Sequence, residues 1–185
     1  RIYEVDSSEG RVFRGLGVVT SESGEILADV SARKTSSRNR LVGVLGSNEF
    51  NIDEVKSSSG FILFSPSETV EVSFTPAKLA NSQNLKLAQT VILISGRSEN
   101  IVDAGIINNL KSAEGELTEA EITAGSQPNK IIIEINTSIS SGSIVTGSIV
   151  INLQGEIVGI RADGSLVGQS SFTSANVAKK FFLAE

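Results

Sequence analysis

The chain has 185 residues, 39% hydrophobic and 20% charged, the balance of a globular protein rather than a disordered one. Sixteen Lys and Arg against twenty-one Asp and Glu leave a net charge of −5, which disfavours a phosphate-backbone binder; no apolar run approaches the ~18 residues of a membrane-spanning helix. Histidine, cysteine and methionine are absent, which excludes a Ser-His-Asp or Cys-His device, a His- or Cys-ligated zinc site and any disulfide.

In chain order, Ile2-Tyr3-Glu4-Val5 is a strand-like end, an edge open to pairing with a neighbouring copy. Short runs rich in Val and Ile then predict strands at Arg11–Thr20, Ile26–Val30, Leu41–Leu45, Phe61–Phe64 and Val70–Phe74. In the second half they predict strands at Thr90–Ser95, Ile101–Asn109, Lys130–Ile135, Ser148–Leu153 and Glu156–Arg161. Ser21-Glu22-Ser23-Gly24 and Leu153-Gln154-Gly155-Glu156 carry turn chemistry. The basic stretch Arg33–Arg40 reads as a solvated loop or as a contact for an anion or lipid headgroup. Residues 112–127 read as an acidic exposed loop. Neither Asp53-Glu54 nor Glu114, Glu116 and Glu119 has the ordered ligand spacing of a calcium loop, so both read as solvated turns. Gly15-x-Gly17 has no following helix and is not a dinucleotide fingerprint. Ser174 is placed to cap a terminal helix over 174–184, with Val177, Ala178, Phe181 and Phe182 at helical spacing. The expectation is an all-β barrel or sandwich with a C-terminal helix.

Five blocks, in order, resemble the HtrA/Deg-type trypsin-like serine proteases. The longest runs Gly147-Ser148-Ile149-Val150-Ile151-Asn152-Leu153-Gln154-Gly155-Glu156-Ile157-Val158-Gly159-Ile160, similar to the strand–hairpin–strand that follows the family's nucleophile. Gly15-Leu16-Gly17-Val18-Val19 with Gly24-Glu25-Ile26-Leu27 resembles the first hairpin. The stretch from Pro76 through Thr90-Val91-Ile92-Leu93-Ile94-Ser95-Gly96, then Val102-Asp103-Ala104-Gly105-Ile106-Ile107, and finally Ser171-Phe172-Thr173-Ser174 before the helix, supply the other three. The resemblance implies a single trypsin-like domain over 1–185, made of two six-stranded barrels (about 1–85 and 86–170) with a cleft between them. It also implies a cell-envelope or other extracytoplasmic setting, and the absent Met suggests a piece of a longer, processed product.

Carried over position by position, the resemblance places Ser31 where the family has its catalytic His, Gly60 at the Asp and Thr146 at the nucleophile. Ile144 replaces the oxyanion-hole glycine, Ser148 a second glycine and Ile149 a proline. A serine hydroxyl is no general base near neutral pH, and an internal threonine without a base is a poor nucleophile. The expectation is a pseudoprotease: no enzyme, no cofactor and no metal. Such a domain binds a protein or extended peptide as a scaffold, with Ile144, Thr146 and Ile149 as candidate peptide contacts. For Ile144 and Ile149 core filling is the favoured reading. The alternatives are a subunit of a surface assembly or homo-oligomer, and a residual hydrolase using Thr146 with a carboxylate from Asp29 or Asp103, or with Lys34 or Lys56 as base. Nucleic acid binding and membrane insertion by this piece are not expected.

Overall fold

Strand-forming runs, mostly three to six residues long, bury their apolar faces by curling into closed sheets, and two such sheets account for most of this chain. The computed structural model describes residues 1–58, 60–113, 115–116, 131–162 and 170–183, with backbone alone at 115, 116 and 183. The first sheet comprises β1 (Ile2–Val5), β2 (Arg11–Gly15), β3 (Gly17–Val19), β4 (Ile26–Asp29), β5 (Arg40–Leu45), β6 (Asn48–Ser58) and β7 (Phe61–Pro66). Its order is β2-β1-β5-β6-β7-β4-β3. The two ends of that order are separated in sequence by Leu16 alone, so one bent strand closes the sheet into a barrel.

The second sheet comprises β8 (Thr90–Ser95), β9 (Ile101–Ser112), β10 (Gly115–Glu116), β11 (Ile132–Thr137), β12 (Ile149–Ile151), β13 (Ile157–Ile160) and β14 (Ser171–Ser174). Its order is β10-β9-β11-β14-β13-β12-β8, and β8 also pairs with β9, which closes six strands into a second barrel and leaves β10 as an appendage. The chain ends in helix α1 (Ala175–Leu183). The fold is the trypsin-like, mostly β architecture expected from the sequence.

Each barrel has its own core. Ile2, Ile26, Phe50, Ile62 and Phe64 fill the first; Val91, Leu93, Ile107, Leu110, Ile135 and Phe172 fill the second. A third cluster joins them: Val18, Leu27, Phe61 and Leu63 of the first barrel meet Ile157, Ile160 and Ala162 of the second and Ala178 of α1. Lys56 of β6 ties the helix down, its Nζ 3.3 Å from the Phe182 carbonyl and 5.6 Å from the Phe181 ring centroid.

Several expectations need correction. Strand β1 is no open edge: it pairs with β2 on one side and β5 on the other, and Ile2 and Val5 are buried. Val70–Phe74 forms no strand, because the closed barrel leaves it no partner. Instead Phe74 plugs the barrel end, edge-on to Phe50 at 5.4 Å, with Val70 and Val72 against the same core. Asp53 and Glu54 lie in strand β6, which the sequence hid because half of that strand is polar and exposed. Ser174 closes β14 and gives its hydroxyl to the Ile132 carbonyl. The first turn of α1 leans on Ser82, whose Oγ accepts the Asn176 N–H at 3.3 Å while its own N–H donates to Asn176 Oδ1 at 3.2 Å. The expected acidic loop lies almost wholly outside the described residues, as do Glu114 and Glu119.

Candidate functional site

Ser31 sits on a single 3₁₀ turn, Val30–Ala32, that terminates β4. The turn forms because Asp29, with extended backbone, caps it: the Asp29 carboxylate accepts the Ser31 N–H at 2.7 Å. The Val30 N–H donates to the Gly60 carbonyl at 3.1 Å, so the positions of Ser31 and Gly60 are neighbours through the β4–β7 pairing. Gly60 has φ +87°, a conformation glycine adopts without strain. Ser31 is exposed, and its carbonyl accepts from Arg14 Nη2 at 2.8 Å.

Thr146 lies on the segment between β11 and β12, whose shape is set by short-range hydrogen bonds. Ser141–Ser143 makes a 3₁₀ turn in which the Ile144 N–H donates to the Ser141 carbonyl at 3.2 Å. The Val145 N–H donates to Ser148 Oγ at 2.9 Å, and Ser148 Oγ shares a hydrogen bond of 2.7 Å with Ser95 Oγ inside the second barrel. The segment is then pinned to both halves. The Thr146 carbonyl accepts the Leu16 N–H of the first barrel at 3.0 Å, and the Gly147 N–H donates to the Arg161 carbonyl of the second, also at 3.0 Å.

Ser31 and Thr146 are linked only through intermediates: Ser31 bonds the Arg14 side chain, and next to Arg14 is Gly15, where an added Cβ would lie 3.3 Å from Thr146 Cγ2. Neither the Ser31 nor the Thr146 hydroxyl makes a hydrogen bond with another described residue. Asp29 spends one carboxylate oxygen on its own turn, and Asp103 Oδ1 accepts the N–H of the next residue in β9, Ala104, at 2.8 Å. Lys56 is engaged at the helix, and Lys34 lines a groove beyond the turn. Ile144 is half-buried against the second barrel's core, and Ile149 is half-buried against the cluster shared by the barrels. Among the described residues, no group of three acidic side chains is placed to hold a metal ion.

Two cations at the site escaped sequence reading. Arg14 reaches across the Ser31 turn, its Nε donating to the Arg33 carbonyl at 3.1 Å as well. Arg161 follows β13 directly, and its N–H donates to the Ser148 carbonyl at 2.7 Å. The Arg161 Nη1 donates to the Ser171 carbonyl at 2.9 Å. Burial lowers the pKa of this guanidinium, opposed by the charges of Asp29 and Glu134. The available signal was a charge at the end of the otherwise apolar run Ile157–Ile160.

Comparison with known proteins adds the fold and little else. No protein-family profile and no curated protein sequence matches the chain. Among solved structures, the chain is similar to an HtrA-type protease, AlgW, determined with a decapeptide, with a TM-score of 0.65 and 14% sequence identity. The match covers 93% of this chain and 51% of that one, so the chain spans about half the length of the protein it resembles. At that identity the likeness establishes a shared trypsin-like fold.

Proposed function

We propose that this trypsin-like domain is a pseudoprotease that holds an extended protein segment in the cleft between its barrels without cutting it. One observation supports the reading: every position to which the family resemblance assigns a part of the proteolytic device is occupied by a group unsuited to it. Ser31, Gly60 and Thr146 offer two hydroxyls and a bare backbone, in a chain without a single imidazole. The Ile144 N–H, at the position the resemblance gives to an oxyanion donor, is directed at the Ser141 carbonyl. Binding demands less than catalysis. A cleft that accepts extended peptide by backbone pairing needs strand edges and side-chain pockets but no nucleophile, and the structurally similar AlgW was determined with a decapeptide. The half-buried side chains of Ile144 and Thr146 are the candidate contacts on the second barrel, with Ile149 behind them. An extracytoplasmic setting, drawn from the family resemblance, belongs to the same reading.

The test is incubation with a mixed library of unfolded peptides, followed by mass spectrometry of released fragments and retained peptides. Retention of intact peptides without new termini is the expected result. New termini that disappear in Thr146→Ala would overturn the reading and establish a hydrolase using that threonine.

A second reading, self-assembly, is favoured by one separate feature. The outward face of β8 and β9 carries Ile94 beside Val102 and Ile92 beside Ala104, with Ile106 next to them. None of these side chains is charged, and Val102 is 69% exposed. This face, rather than the paired strand β1, is where a homo-oligomer would form.

A further inference from the structure

The loop that begins at the Ser31 turn concentrates positive charge in an acidic protein. Arg33, Lys34, Arg38 and Arg40 are four of the chain's sixteen cations, gathered within eight residues. A loop of this composition in solvent would ordinarily sample many conformations. Here it is folded over the carboxylate of Glu4, which is only 4% exposed in the first barrel. Glu4 accepts the Thr35 N–H at 2.9 Å, the Ser36 N–H at 3.2 Å and Asn39 Nδ2 at 2.8 Å, as well as the Thr35 hydroxyl. A buried acid thus fixes the loop backbone at Thr35 and Ser36, on either side of which the four cations project.

Two of the four are neutralised. Arg33 makes a two-pronged pair with Glu54, at 2.6 and 3.0 Å, and Arg40 pairs with Glu9 at 2.9 Å. Lys34 and Arg38 are exposed and have no anionic partner among the described residues. Between the loop and strand β6 runs a groove of about 400 Å³, with Lys34 on one wall and Asp53 on the other. Arg33, which lines the groove, is tied to the Ser31 turn by Arg14, which bonds both the Ser31 and Arg33 carbonyls.

From this placement we infer that the loop Arg33–Arg40 is a docking surface for the flank of the bound segment, and that this flank is acidic. The inference rests on the peptide-binding reading and adds the partner's chemistry to it. Carboxylates leaving the cleft over the loop meet Lys34 and Arg38 on a backbone already held by Glu4, so little ordering of that backbone opposes binding. Asp53 on the facing wall repels the same carboxylates and confines them to the loop side. A nucleic acid is the poorer fit: two free cations release few counterions, and the net charge of −5 repels a polyanion.

The experiment measures fluorescence anisotropy with the intact protein and four labelled probes. Three are extended peptides with Glu, Gln or Lys at alternate positions of one Val/Thr framework; the fourth is single-stranded oligothymidine. The Glu peptide is expected to bind about tenfold tighter than the Gln peptide at low salt, from two exposed charge pairs. That advantage shrinks as salt rises. It disappears in the double variant Lys34→Glu/Arg38→Glu and widens in Asp53→Asn, a gain that misfolding would not produce. Equal binding of the Glu and Gln peptides overturns this inference and leaves peptide binding standing. Absence of binding by all three peptides overturns both. Preference for oligothymidine over the Glu peptide overturns the acidic-peptide assignment in favour of a nucleic acid surface.

Discussion

At the scale of single residues, Glu4 shows how a buried charge is made tolerable. Burial by itself raises a carboxyl pKa, but the hydrogen bonds from Asn39, Thr35 and Ser36 outweigh it and hold Glu4 below the ordinary glutamate range. A folded-state pKa below the unfolded one means that the stabilisation is fully present above the unfolded value and is lost as pH falls through the folded one. Glu4→Gln is therefore expected to cost about 1.5–3 kcal/mol near neutral pH, since it weakens hydrogen bonds made to a charged acceptor. The gap between the two proteins in urea unfolding should close as the pH is taken below about 4. A gap that stayed constant down to about pH 3 would overturn this account of Glu4. Ser31 and Thr146 show what is legible at this scale: their identity rules out an imidazole base from the letters alone. Their surroundings are only partly legible: Asp29 caps the Ser31 turn locally, but Arg14 meets Ser31 only after β2 and β4 have curled into one barrel.

At the scale of elements, the segment from 138 to 148 and the hairpin at 152–156 carry glycines of the same conformation in opposite settings. Gly155 has φ +78° and open space where a Cβ would go; its turn is held by Asn152, whose Oδ1 accepts the Gln154 and Glu156 N–H groups. Gly147 has φ +76°, but a Cβ there would lie 2.1 Å from the Leu16 carbonyl oxygen, which is backbone and has nowhere to move. Gly155→Ala is thus expected to cost about 1 kcal/mol, from left-handed backbone alone. Gly147→Ala should cost clearly more, at least about 3 kcal/mol, by combining that strain with separation of the barrels where Leu16 and Thr146 are bonded. Comparable losses for the two variants in thermal or urea unfolding would contradict the assigned contact. The hairpin was readable from its turn residues. Strand β6 was not, because only Phe50 and Ile52 of its eleven residues are buried and the rest looks like a loop. Pairing with β5 and β7 makes it a strand.

At the scale of the whole molecule, what distinguishes this chain is where its apolar surface ends up. Most of it lies in two barrel cores and in the cluster that joins them with α1, but Ile94 of β8 and Val102 and Ile106 of β9 face outward. An uncharged apolar face on a protein of net charge −5 is the surface on which copies meet with the least local repulsion. If the protein self-associates, Val102→Asp should abolish it, read by sedimentation velocity across a concentration series, with the unfolding midpoint nearly unchanged because Val102 is already in solvent. A concentration-dependent oligomer that persists in Val102→Asp would place the interface elsewhere.

The sequence by itself determined the strand-and-turn character of the chain, the order of most of its strands, its terminal helix and the absence of any histidine, cysteine or methionine chemistry. These follow from local pattern and composition, which need no knowledge of what lies across a sheet. Tertiary structure alone decided that Ile2–Val5 is an inner strand, that Val70–Phe74 is a plug, and that Arg14 and Arg161 flank the candidate site. It also decided that a buried glutamate holds a basic loop in one shape. Each of these depends on residues distant in sequence meeting as the barrels close, and a hydrogen bond from Thr35 to Glu4 spans thirty-one residues that no local pattern connects.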